Sequence, residues 1–105
     1  MRSPFNKLQP NEDMLAGRWL VEGGRARGDA ACERIEWLIE HHLQKIADSP
    51  QSGAWETLYR DPDDGGYWER TYPQGEMHGG GPPQLKRLTI QEASEKYGAA
   101  VSTPQ

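Results

Sequence analysis

The sequence predicts a small α+β domain: a mostly antiparallel sheet of about four strands, one long helix packed on one face, and a short C-terminal helix. Three observations predict it. Apolar residues recur with a helical period from Ile35 to Ile46. That period gives way to strand-like alternation between Trp55 and Tyr72. The connections between the alternating segments are short, which favours antiparallel pairing. With 105 residues there is room for one domain, and a helix laid on a sheet supplies the two layers that one core needs.

Taken in order, residues 1–16 read as a polar N-terminal arm, 17–98 as the α+β domain and 99–105 as a frayed tail. Pro4 and Pro10 interrupt any regular pattern in the arm. Trp19-Leu20-Val21, bounded by Gly17 and by Gly23-Gly24, suggests a short strand and a turn. Asp29 is placed to cap a helix starting at Ala30. Along that helix Ile35, Leu38, Ile39, His42, Leu43 and Ile46 share a face. Glu33, Glu36 and Glu40 lie largely outside it, Lys45 sits near the C-terminal end, and Ser49-Pro50 forms the stop. Trp55, Thr57 and Tyr59 then alternate with Glu56, Leu58 and Arg60. Asp61-Pro62-Asp63-Asp64-Gly65-Gly66 carries turn chemistry, and Tyr67 to Tyr72 alternates again, so the pair reads as a β-hairpin ended by Pro73. Glu76 to Pro83 is an irregular loop and Leu85 to Ile90 a last strand. A short helix starts at Thr89 or Gln91 and ends at Gly98.

Composition narrows the functional classes. A single cysteine, Cys32, cannot form an internal bridge, which points to a reducing compartment. Neither a signal-peptide pattern nor a run of ~20 apolar residues is present, so a cytoplasmic protein is expected. The net charge of −4 disfavours a nucleic-acid backbone and suits a basic protein partner, although it serves solubility equally well.

No catalytic set assembles from the sequence. His41 and His42 are adjacent and would point about 100° apart on a helix, too far to share a metal easily. Cys32 falls in a first helical turn, where a thiol can be activated, but it serves equally as a small buried hydrophobe. Gly79-Gly80-Gly81 runs into Pro82-Pro83, which lack N–H groups, so a phosphate cradle is disfavoured. No catalytic, cofactor-binding or metal residues are therefore assigned. The candidate partner-binding residues are Asp61, Asp63, Asp64, Tyr67, Trp68, Glu69, Tyr72, Glu76, His78, Gly79, Gly80 and Gly81. They combine carboxylates with the Tyr and Trp side chains enriched at interface hot spots. The competing readings are a solvated turn for the acids and core packing for the rings.

Several blocks together resemble a family. Arg18-Trp19-Leu20 precedes Gly-Gly, and Cys32-Glu33-Arg34-Ile35-Glu36-Trp37-Leu38-Ile39 follows. Then come Trp55-Glu56-Thr57-Leu58-Tyr59 with Asp61-Pro62, and Tyr67-Trp68-Glu69-Arg70-Thr71-Tyr72-Pro73 running into His78-Gly79-Gly80-Gly81-Pro82-Pro83-Gln84-Leu85. In order and approximate spacing, over Gly17 to Tyr97, they resemble the immunity protein 27 family of bacterial polymorphic toxin systems. Position 75 is Gly, where many relatives have Ser. The resemblance implies a cytoplasmic, non-enzymatic protein without cofactors. Such a protein would bind and neutralise the C-terminal domain of a toxin encoded by a neighbouring gene; separately, a monomer before binding is expected. The acidic charge adds a basic nuclease as the toxin class. The alternatives are an adaptor with another partner, or a small enzyme using the hairpin carboxylates with His78.

Overall fold

The computed structural model describes residues 6–73 and 81–101. Its centre is a five-stranded antiparallel sheet in the order β1-β7-β6-β5-β4, formed by Met14–Ala16 (β1), Gln84–Leu88 (β7), Tyr67–Thr71 (β6), Gly53–Arg60 (β5) and Gln44–Ser49 (β4). Among the described residues, Trp19–Glu22 (β2) and Arg25–Gly28 (β3) pair only with each other. Gly23 and Gly24, at φ 56° and 81°, form the two-residue turn between them. Two successive positive φ values match the twist of a tight hairpin and demand glycine there.

Helix α1 (Ala30–His41) starts where the capping argument placed it, with the Asp29 side chain accepting the Cys32 N–H at 2.9 Å. Helix α2 (Ile90–Tyr97) is closed by a capping box: Thr89 Oγ1 accepts the Glu92 N–H at 3.0 Å, and Glu92 returns the bond to the Thr89 N–H at 2.8 Å. A 3-10 turn, Gly98–Ala100, follows. Among the described residues no helix is long and apolar enough to cross a membrane.

The helices lie on opposite faces of the sheet. Ile35, Leu38 and Leu43 meet Tyr59, Trp68 and Leu85 on the α1 side. Ala93, Tyr97 and Val101 meet Leu58, Tyr67 and Leu88 on the other. Strand side chains alternate between faces, so neighbours such as Tyr67 and Trp68 enter different cores. A small chain thereby buries aromatic rings on both sides of one sheet. The α+β class is as expected; the sheet has five strands, and the short helix covers the face that the long one leaves open.

One boundary differs from the sequence reading. The helical period ran on to Ile46, but α1 ends at His41, and Gln44–Ser49 is a strand. His42 turns out of the helix at φ −129°, ψ −53°, and the N–H groups of His42 and Leu43 both donate to the Leu38 carbonyl. Lys45 accordingly lies on β4, where it pairs with Asp48 at 3.4 Å, and not at a helix end. Leu43 still packs on the α1 side, whereas Ile46 packs against the α2 cluster.

The stretch expected as an arm contributes an edge strand. Met14–Ala16 pairs with Lys86–Gln84, and Glu12 makes a two-bonded pair with Arg34 at 2.7 and 2.8 Å. Directly after this strand, Gly17 fits under the start of α1. A Cβ there would lie 2.5 Å from Cys32 Sγ and 2.8 Å from the Pro83 carbonyl oxygen. Gly17→Ala should therefore destabilise by about 1–3 kcal/mol, the usual cost of overpacking, read as a lower urea midpoint. Adding Cys32→Ala should recover only part of the loss, because the Pro83 backbone contact remains. An unchanged midpoint in Gly17→Ala would refute the close approach.

Candidate functional site

The turn joining β5 to β6 is built around Asp61. Its N–H donates to the Gly66 carbonyl at 2.8 Å, and its own carbonyl accepts the Gly65 N–H at 2.8 Å. Its carboxylate accepts the Asp63 N–H at 2.9 Å and lies 3.0 Å from His42 Nε2. Asp61 is buried, so its role in this fold is to fasten the end of α1 to the hairpin turn. Asp63 and Asp64 are exposed. Asp63 lies 3.6 Å from Lys7 Nζ, and Asp64 accepts the Gly66 N–H at 2.8 Å and faces Arg87 at 3.5 Å. The ligand-type atoms of His42, Asp61 and Asp63 fall within 4.8 Å of one another, so these are the described residues with the spacing to hold a metal ion. A metal there would have to displace the His42–Asp61 contact.

Tyr67, Trp68 and Glu69 are all buried. Tyr67 and Trp68 belong to the two cores. Glu69 accepts the Tyr97 O–H at 2.7 Å and pairs with Lys96 Nζ at 2.7 Å. An interface that uses this hairpin must use the neighbours of these three residues. Glu76, His78, Gly79 and Gly80 lie outside the described residues. Tyr72 and Gly81 remain, and both line a cleft on the α1 side of the sheet.

That cleft encloses about 480 Å³ between α1, the β2–β3 hairpin and the end of β6. Ile35 and Ile39 give it an apolar wall, Glu36 and Glu40 an acidic one, and Trp19, Tyr72 and Arg70 the opposite side. The Arg70 guanidinium lies 5.0 Å over the Tyr72 ring. Its Nη2 donates to the Ala54 carbonyl at 2.6 Å and to Thr57 Oγ1 at 3.0 Å. Trp55 and Tyr72 pack edge to face, with ring centroids 5.6 Å apart. Cys32 also borders the cleft. Burial pushes its thiol pKa up, and the S–H donates to the Arg18 carbonyl at 3.4 Å. A thiol held protonated in this way is a poor nucleophile.

Of the residues that line this cleft, the sequence reading singled out Tyr72 and Gly81, and not Trp19, Glu36, Glu40 or Arg70. The available signal was the tryptophan on a short strand beside Gly23-Gly24, since a hairpin outside the main sheet has little core in which to bury a ring. Glu36 and Glu40 were visible only as the solvent side of a helix.

A family model described as Immunity protein 27 matches residues 21–89, more than half of the chain. No curated protein and no solved structure gives a significant match.

Proposed function

The chain belongs to the Immunity protein 27 family, and we propose that it acts in the cytoplasm by binding and neutralising a cognate toxin domain encoded by a neighbouring gene. The family membership is the observation that carries this reading. The geometry is compatible with it. The buried Cys32 thiol and the His42 ring held against Asp61 are engaged in structure rather than poised for chemistry. The exposed aromatic side chains Trp19 and Trp55 are of the type that anchors protein interfaces. The net charge of −4 favours a basic toxin, such as a nuclease, whose encounter would be steered by opposite charge.

The test is to mix the purified protein with the toxin domain encoded next to it. A stoichiometric complex and loss of toxin activity are expected. Absence of a complex overturns the reading, and turnover of the toxin without a lasting complex would establish an enzyme instead. For a basic toxin, the association rate should fall steeply with added salt. A salt-independent rate would remove the charge argument for a nuclease while leaving neutralisation intact.

A further inference from the structure

The cleft beside α1 has the composition of a receptor for a positively charged side chain. Glu36 and Glu40 stand one turn apart on the same exposed face of the helix. Like charges at this spacing repel and weaken a helix. Glu40 also lies in the last turn, where the helix dipole disfavours an anion. Among the described residues Glu36 has no ion pair, and Glu40 faces only the exposed His41 ring at 3.7 Å. Two carboxylates thus sit in positions that helix energetics oppose, at the rim of an open cleft.

The remaining walls suit the rest of such a side chain. Half-buried Ile39 offers an apolar surface for a methylene stem and Trp19 an aromatic one to a cation, while the Tyr72 ring, engaged by Arg70 and Trp55, closes the far side. Trp19 is 36% exposed and Val21, on the same face of its strand, 75%. The ridge that flanks the cleft is therefore uncovered. Arg70 is the one cation among the described residues that line the cleft; its hydrogen bonds go to neutral oxygens, and its buried Nε has no hydrogen-bond partner among the described residues. It hydrogen-bonds Thr57 and Ala54, and it helps hold the Asp48 carboxyl below the usual range, after the Thr57 and Lys45 contacts. Two carboxylates against one guanidinium leave the described lining of the cleft net negative.

From these observations we infer that the cleft between α1 and the β2–β3 hairpin is the toxin-binding surface, and that it receives a lysine- or arginine-bearing segment of the toxin domain. The inference rests on the proposed function, because the occupant is the toxin. It places the main contact on the α1 side, with Trp19, Glu36, Glu40 and Tyr72, and makes the acidic hairpin turn at Asp63 and Asp64 peripheral.

Isothermal titration against the neighbouring toxin domain, in an inactive form, tests it with charge-matched variants. Glu36→Lys changes the cleft, and Glu95→Lys makes the same change of charge on the exposed side of α2. Glu36→Lys should weaken binding by about tenfold or more, and Glu95→Lys should stay near wild type. Trp19→Ala should also weaken binding by about tenfold or more, with the thermal midpoint of each variant confirming a folded protein. If wild type binds and Glu36→Lys binds equally well, the inference fails while the function stands. Loss in Trp19→Ala alone would mean an apolar occupant, which also overturns the basic one. Equal losses in Glu36→Lys and Glu95→Lys would mean general charge attraction rather than this cleft. If wild type does not bind, the proposed function fails first and the inference falls with it.

Discussion

Trp68→Ala should cost about 3–5 kcal/mol of folding stability, a large part of what a domain of this size possesses. Trp68 is fully buried on the α1 face, in the cluster with Ile35, Leu38, Tyr59 and Leu85. Arg87, its cross-strand partner, lies 4.6 Å over the ring. Truncation removes the largest fully buried side chain and leaves a cavity that two strands and a helix cannot close without shifting. At about 4–8 °C per kcal/mol, the thermal midpoint should fall by more than about 12 °C. Trp68→Phe should be much milder. The indole N–H has no hydrogen-bond partner among the described residues, and removing an unsatisfied buried donor offsets part of the lost contact area. The measurement also separates core from interface. A Trp68→Ala protein with the wild-type midpoint but no toxin binding would return Trp68 to the contact surface and refute the core assignment.

Trp68 shows why the fold was legible in the sequence and the surface was not. Alternation placed Tyr67 and Trp68 on opposite faces, and that was correct. It could not show that both faces are covered, because the cover comes from α1 and α2, which are far away in the chain. The end of α1 failed for a related reason. Its start is signalled locally, by Asp29 three residues before the N–H it caps. Its end carries no glycine and no proline, and the apolar spacing continues through Leu43 and Ile46. What fixes the end is His42 bound to Asp61, a partner 19 residues on. Short strands behave alike: Met14–Ala16 has three residues and little pattern, and its pairing with β7 defines it. The cleft is harder still, since Trp19, Glu36 and Arg70 come from three elements and each is unremarkable where it stands in the chain.

The polar network under α2 yields the second large effect. Glu69 is buried on the face opposite Trp68, and one of its oxygens meets both Tyr97 O–H and Lys96 Nζ at 2.7 Å. Lys96 also reaches Glu56 at 2.8 Å. Glu69→Ala leaves a buried phenol without its acceptor and takes from Lys96 one of its two carboxylates. Breaking an ion pair costs about 3–5 kcal/mol when fully buried, and the lower end applies because Lys96 retains Glu56 and some solvent. Tyr97→Phe added to Glu69→Ala should cost little further, since the hydroxyl has already lost its acceptor. Additive losses would refute the shared network.

The pH dependence has a sign that the same groups fix. The hydrogen bond from Lys96, with help from Ser52, holds the Glu56 pKa below its usual range against burial. A depressed carboxyl contributes stability that is present above about pH 4.3 and is lost as pH falls through the folded value. Burial opposes the charge on Lys96, but its bonds to Glu56 and Glu69 outweigh that and raise its pKa. A raised lysine contributes stability that is present below about pH 10.4 and is lost as pH climbs through the folded value. Wild type should therefore have a stability plateau that falls away at both ends. In Glu69→Ala the lysine keeps one carboxylate instead of two, so the alkaline loss should shrink while the acid loss from Glu56 persists. Urea midpoints measured across this range would decide it. An alkaline arm as steep in Glu69→Ala as in wild type would show that Lys96 does not draw its stabilisation from Glu69.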